Sequence, residues 1–224
     1  MNSEEMLARY VEKMGPELGP LFQAASSELS WMHWRWKQYR ILFGEKPARL
    51  ELINQAAPFF FYTVHESLFE LTLLGIARLV GPPRSVGKAN LSFQAIPTLC
   101  KVQIRDEALA LLEKAKDAGS FAVDWRNRHI AHRDLDLSLG KSTQVLEIAT
   151  REKVENSLSA LRDVLNHVEV AYCQAKTLYE SPTLGDAESL LCVIRHGLLR
   201  EKDRHACWDR GENHEDDIHP LGPI

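Results

Sequence analysis

Asp124-Trp125-Arg126-Asn127-Arg128-His129-Ile130-Ala131-His132-Arg133-Asp134 is the densest polar stretch of this chain, and the reading of the whole turns on it. Three arginines and two histidines fall within eight residues, in a chain whose net charge is -4. A run of charge is usually the solvated face of a helix. Two features set this one apart. Phe121, Trp125 and Ile130 are large and apolar, so the segment is expected to pack against a body. It also carries histidines, which exchange protons near neutral pH, beside guanidinium groups that grip phosphate on two prongs.

Outward from this segment the helical period dominates. Upstream, Arg105 to Ala118 reads as an amphipathic helix closed by Gly119, with Ser120 capping the motif helix. Leu29, Met32, Trp36, Tyr39 and Phe43 recur at steps of three and four, predicting a helix over 26–43 that Gly44 ends. Pro47 is placed to open the next helix, which runs to Val80 and which Pro58 should kink or split. Around Phe59 to Val64 that helix is apolar on every side, the pattern of a buried central element. Gly81-Pro82-Pro83-Arg84-Ser85-Val86-Gly87-Lys88 reads as a loop, and Ser92 as the cap of a short helix before Pro97. Downstream, Leu135 to Leu139 alternates with period two and is followed by Gly140 and Val145-Leu146-Glu147-Ile148, which suggests a small hairpin. Val154, Leu158, Leu161, Leu165, Val168 and Tyr172 form a heptad-like seam over 150–180. Ser181-Pro182 breaks it, and a last helix is expected from Asp186 to about Cys207. The expected organisation is a single all-α domain over 1–208 and an acidic, flexible tail over 209–224.

At 224 residues, 45% hydrophobic and 26% charged, the chain has an ordinary globular composition. Its acidic balance argues against coating DNA or RNA non-specifically, which needs many Lys/Arg–phosphate contacts, and no DNA partner is expected. Cys100, Cys173, Cys192 and Cys207 form no C-x-x-C pair, so neither a disulfide framework nor a zinc site is read. The acidic start Met1-Asn2-Ser3-Glu4-Glu5 has no apolar signal core, and the longest apolar run, Pro58 to Val64, is too short to span a bilayer. A cytoplasmic protein without a membrane partner is the expectation. Gly81 to Lys88 has the wrong spacing for a P-loop and Ala89 where a hydroxyl residue is needed, and Gly140-Lys141-Ser142 lacks the upstream glycine. His205, Cys207, His214 and His219 lack metal-site spacing, so no metal and no cofactor is expected. Trp31-Met32-His33-Trp34-Arg35-Trp36 could stack bases, but at helical spacing such residues are more often core or dimer contacts.

An Arg, a polar residue and then a His four to six positions on is the signature of the HEPN superfamily, and Arg126-Asn127 followed by His132 matches it. Arg78-Leu79-Val80-Gly81-Pro82-Pro83, Gly87-Lys88-Ala89-Asn90-Leu91-Ser92 and Asp186-Ala187-Glu188-Ser189-Leu190-Leu191 extend the likeness. Over 31–199 the chain resembles the HEPN-like family of the abortive-infection AbiU type. That resemblance implies an all-α HEPN-like bundle that forms a homodimer, cleaves RNA without metal, and serves in phage defence or as a toxin, with an antitoxin as a possible partner. It marks Arg126, Asn127 and His132 as catalytic, with Arg128, Arg133 and Arg78 as substrate-binding candidates. The rival expectation is a non-catalytic dimerising HEPN-like module that binds nucleotide or RNA.

The residue types suit the chemistry. A His takes a proton from a ribose 2'-hydroxyl or gives one to the leaving oxygen, an Arg stabilises the crowded phosphate, and Asn127 is suited to orient the His or to bind a phosphate oxygen. Geometry adds a constraint. On a straight helix Arg126 and His132 lie about 9 Å apart along the axis and about 120° around it. Either the helix ends early or a two-fold partner completes the site. Arg128 with His132, and Arg126 with His129, are rival same-face pairs. Glu66 and Glu70 are candidate partners for Arg126, and Asp134 is a candidate supporting group.

Overall fold

The computed structural model describes residues 2–44, 46–131, 135–141, 145–180 and 186–218. Within these the chain is helical, apart from one two-stranded hairpin, and it divides into two compact units. The first holds Met1–Trp36 and Leu68–Ser181, the second Lys37–Ser67 and Pro182–Ile224. No helix among the described residues is long and apolar enough to cross a membrane.

In the first unit, α1 (Ser3–Met14) opens with a reciprocal cap between Asn2 and Glu5. Gly15, at φ 92°, turns the chain into α2 (Leu18–Tyr39). The two helices run antiparallel: Tyr10 packs edge-on against Phe22, and Gln23 reaches back to the Ser3 carbonyl. Gly19 makes the crossing possible, because a Cβ there would sit 2.7 Å from the Val11 backbone nitrogen. α2 in turn runs antiparallel to the later part of α4 (Pro58–Val80). Trp36 meets Phe69, Met32 lies over Gly75, and Arg78 pairs with Glu28.

α6 (Val102–Trp125) lies between α4 and α8 (Arg151–Cys173). Gly119 presses against Ile76 and Val80 of α4, while the buried Ser157 of α8 donates to the Ala118 carbonyl at 2.7 Å. Further along the same antiparallel contact, His167 bonds the Ile104 carbonyl and the Tyr172 hydroxyl accepts from the Lys101 amide. The expected seam of α8 is the buried one: Val154, Leu158, Leu161, Leu165 and Val168 are all enclosed. Thr150 caps the helix and Gln174, in the left-handed conformation, ends it.

The differences from the sequence reading have local causes. Gly119 does not close a helix; α6 runs through it because α4 occupies the space a side chain would need. Pro58 splits the long helical stretch, as expected, and leaves α3 (Pro47–Ala56) on the other side of Ala57. Phe59, Phe60 and Tyr62 are 88%, 61% and 62% exposed, so the start of α4 is not the buried centre its composition suggested. α3 packs chiefly on α9 (Asp186–Asp209) and on the π-helical turn Arg40–Gly44, and of the three phenylalanines only Phe61 turns inward.

The two residual strands also lie elsewhere than expected. β1 (Arg84–Ser85) pairs antiparallel with β2 (Lys88–Ala89), inside the stretch read as a loop. Leu135–Ser138 is a single helical turn, α7, and 145–150 is irregular. In the second unit the acidic end is held through Ile218: α10 (Glu215–Ile218) lies on α9 through Arg200–Asp216 and Arg204–Asp217 pairs, each at 2.6 Å. These pairs lie at the surface, partly covered, and add little stability singly, while His214 nearby is buried.

Candidate functional site

The motif segment is the continuation of α6. At Arg126 the regular α-helical ladder gives way to one π-helical turn, Arg126–Ile130, closed by a bond from the Ala131 amide to the Arg126 carbonyl at 2.9 Å. The straight-helix spacing used for the sequence therefore stops applying at the first motif residue. Single π turns are uncommon and concentrate at functional sites, because they re-aim side chains without ending the helix. The turn also sits at the carboxyl end of α6, the end at which a helix dipole attracts positive charge, and it carries Arg126 and Arg128.

The turn sorts its side chains into two sets. Trp125 anchors the inward set. Its indole N–H donates to the Glu147 carbonyl at 2.7 Å, and its ring meets Phe69 edge-on at 6.1 Å and His129 at 5.2 Å. His129 also faces Glu70, 3.9 Å away on α4. Arg128 folds back onto Asp124 one turn earlier, at 3.3 Å, with only 14% of its side chain exposed. Glu147 takes the Lys153 ammonium, so the 145–150 segment is tied at both its backbone and its side chain.

The half-buried Arg126 and the exposed Asn127 form the other set, paired with each other. The Asn127 side-chain oxygen accepts from Arg126 Nε at 3.0 Å and Nη2 at 2.6 Å. A neutral carbonyl thus fixes the plane of the guanidinium without cancelling its charge, and the rest of the fork stays available to a ligand. Among the described residues Arg126 has no carboxylate partner. Glu70, one of the two expected partners, is taken by His129, and Glu66 accepts from the Tyr62 hydroxyl at 3.0 Å within its own helix.

His132, Arg133 and Asp134 lie outside the described residues. Arg78 is engaged by Glu28 at 2.9 Å, two helical turns along α4 from Glu70, and it does not join the motif turn. Of the expected site residues, the structure brings Arg126 and Asn127 together and turns Arg128 into its own helix. Sequence reasoning missed the supporting groups Phe69, Glu147 and Lys153. The apolar Phe69 was a visible core candidate, but nothing in the sequence marks the Glu147 carbonyl.

No group of three or more His, Cys, Asp or Glu among the described residues is arranged to hold a metal. His214 instead bonds the Asp216 amide through Nδ1 and lies near Asp203 and Asp216. Cys100, Cys173, Cys192 and Cys207 are all free thiols, and burial pushes that of Cys100 up to about 11. The tryptophan cluster is divided: Met32, His33 and Trp36 are core, while Trp31 and Trp34 are exposed and edge-on at 5.5 Å.

The HEPN AbiU2 family model, described as AbiU2, matches residues 15–187. That span holds α2 through α8, the π turn and the first residues of α9. No curated protein and no solved structure matches this chain. With the all-helical fold and the Arg126-Asn127 turn inside the matched span, the chain belongs to the AbiU2 family of HEPN-like proteins.

Proposed function

We propose that this chain is a HEPN-type endoribonuclease that cleaves RNA without a metal ion, in phage defence or as a toxin. The observation that carries the reading is the state of Arg126: a guanidinium oriented by a neutral oxygen, with no acid beside it among the described residues. Within the same turn, Arg128 and His129 have structural partners. An uncommitted, pre-oriented arginine on a π turn is suited to an anionic ligand, and a phosphodiester is the ligand the family relationship favours.

In the proposed reaction the 2'-oxygen attacks the adjacent phosphorus as its proton passes to His132. The bond to the 5'-oxygen breaks, and that oxygen takes up a proton. The products are a 2',3'-cyclic phosphate and a 5'-hydroxyl, so no electrons are exchanged and no co-reactant is consumed. Arg126 stabilises the charge gathering on the phosphate oxygens. Each chain offers one motif histidine, and a second copy would supply the other proton-handling group.

His132→Ala should lower cleavage by about 10²–10⁴-fold, the usual worth of a positioned proton carrier. Arg126→Ala should be similarly damaging, and His129→Ala should keep most activity, since His129 packs on Trp125. An inactive His129→Ala beside an active His132→Ala would overturn the assignment. A parent that never cleaves, while the variants change nucleotide or RNA binding, would place the chain among non-catalytic modules.

A further inference from the structure

The β1–β2 hairpin is exposed along its whole length and carries a residue at odds with its backbone. Its two turn residues, Val86 and Gly87, have φ of 48° and 79°. Positive φ at both positions is the type I′ hairpin turn, which favours Asn or Gly and strains a β-branched side chain. Val86 is fully exposed, so no packing in this chain compensates. Strain kept without an internal gain is typical of residues that act on something outside the fold.

The hairpin is rigidly mounted. Asn90 bonds the Pro82 carbonyl and the Ser85 hydroxyl, Ser92 donates to the Gly81 carbonyl, and Gln94 reaches the Val80 carbonyl at 2.8 Å. Gln94 thus satisfies the last carbonyl of α4, and the other bonds fix the hairpin to the chain that leaves it.

Its charge is unusual for this chain. No Asp or Glu occurs between Glu70 and Asp106, although the chain as a whole is acidic. The cations of that stretch other than Arg84 and Lys88 are engaged: Arg78 by Glu28, Lys101 over the Tyr172 ring, Arg105 by the Cys100 carbonyl. Arg84 and Lys88 are exposed and have no partner among the described residues. The register pairs Arg84 with Ala89 and Ser85 with Lys88, so the two cations point to opposite faces of the ribbon.

We propose that this hairpin is a second RNA-contacting element, with Arg84 and Lys88 taking phosphates on its two faces and Val86 against a base or sugar. It rests on the reading of the chain as an RNA-binding enzyme. The hairpin leaves α4 at Val80, while Glu70 on the same helix faces His129 of the motif turn. The ten residues between span about 15 Å. The substrate class is therefore an RNA long enough to reach both places.

The test is fluorescence anisotropy with a labelled 2'-O-methyl RNA of about twenty nucleotides, several times that span, which the enzyme cannot cleave. The Arg84→Ala/Lys88→Ala double variant should bind roughly tenfold more weakly than the parent. Its slope of log affinity against log salt should be shallower by about 1.5. Lys114→Ala/Lys202→Ala, which removes the same charge elsewhere, should change affinity little. Val86→Asn should raise the melting temperature while weakening RNA binding, a combination a purely structural turn residue would not give. The hairpin contact is overturned if the double variant keeps the parent's affinity and slope, or if the control double variant loses as much. A parent that binds no RNA would instead overturn the RNA reading, and this proposal with it.

Discussion

Replacing Gly19 with Ala sets two rules against each other, and the structure decides the sign. By helix propensity the change should stabilise α2 by up to about 1 kcal/mol, since Ala is the better helix former and Gly19 has no positive φ. By packing it should destabilise. The new Cβ would lie 2.7 Å from the Val11 nitrogen and 2.8 Å from the Tyr10 carbonyl carbon and oxygen. Those atoms are backbone, so α1 itself must move, and α1 is tied through the Tyr10 hydroxyl to Glu169, a buried carboxylate, at 2.9 Å. Overpacking of this kind costs about 1–3 kcal/mol. The net expectation is a loss of about 1–2 kcal/mol, or a Tm lowered by roughly 2–8 °C for a chain of this size. Gly197 is the internal control: it lies in α9 with nothing within 4 Å of its would-be Cβ. Gly197→Ala should therefore stabilise by about 0.4–1 kcal/mol. Urea unfolding followed by far-ultraviolet circular dichroism measures both variants. A Gly19→Ala protein at least as stable as the parent would refute the α1–α2 packing argued here.

Acid should destabilise the fold through two histidines, because burial lowers the pKa of both His33 and His65 from the ordinary 6.5. Their stabilising contribution is complete above about pH 6.5 and is lost as pH falls through the lowered folded values, so a His33→Gln variant should show a flatter stability profile below that pH. At the alkaline end, Cys100, raised by burial from 9.0 to about 11, should cost stability as pH rises across that interval, and Cys100→Ala should remove that part of the slope. Trp125→Phe keeps a ring against Phe69 and His129 but removes the donor to the Glu147 carbonyl. It should cost about 0.5–1.5 kcal/mol and raise hydrogen exchange over residues 145–150, and unchanged exchange there would argue against the anchoring role.

Much of this architecture was legible because its punctuation is steric. Gly44, Pro47 and Pro58 act through their own backbones, and each marks a boundary in the structure. The α8 seam was legible because its period of three and four is one-sided, and every aliphatic position of it is buried. Gly119 was misread for a reason sequence cannot supply: a glycine ending a helix and one admitting Ile76 and Val80 look alike until the neighbour is placed. Phe59 to Val64 was misread because an all-apolar run states what burial would gain, not whether a partner exists to cover it. The hairpin was hidden by Val86, a residue two-residue turns disfavour, and the held acidic end depends on ion pairs with α9 formed across more than ten residues. At the site, Arg126 and Asn127 were singled out by the motif, and the structure adds that the Asn127 oxygen holds the Arg126 guanidinium. The π turn, and with it the separation of Arg126 on Asn127 from His129 on Trp125, comes from the fold alone.

Metal-independent cleavage of RNA by this chain can be read from its products in the presence of a chelator. Purified protein is incubated with a defined RNA in excess EDTA, and the fragment ends are read by mass spectrometry, with Arg126→Ala run in parallel. The account predicts fragments ending in a 2',3'-cyclic phosphate or its hydrolysed 3'-phosphate, with 5'-hydroxyl partners, and their loss in the variant. Cleavage that stops in EDTA and returns with magnesium or manganese, or that proceeds equally well in Arg126→Ala, would contradict it.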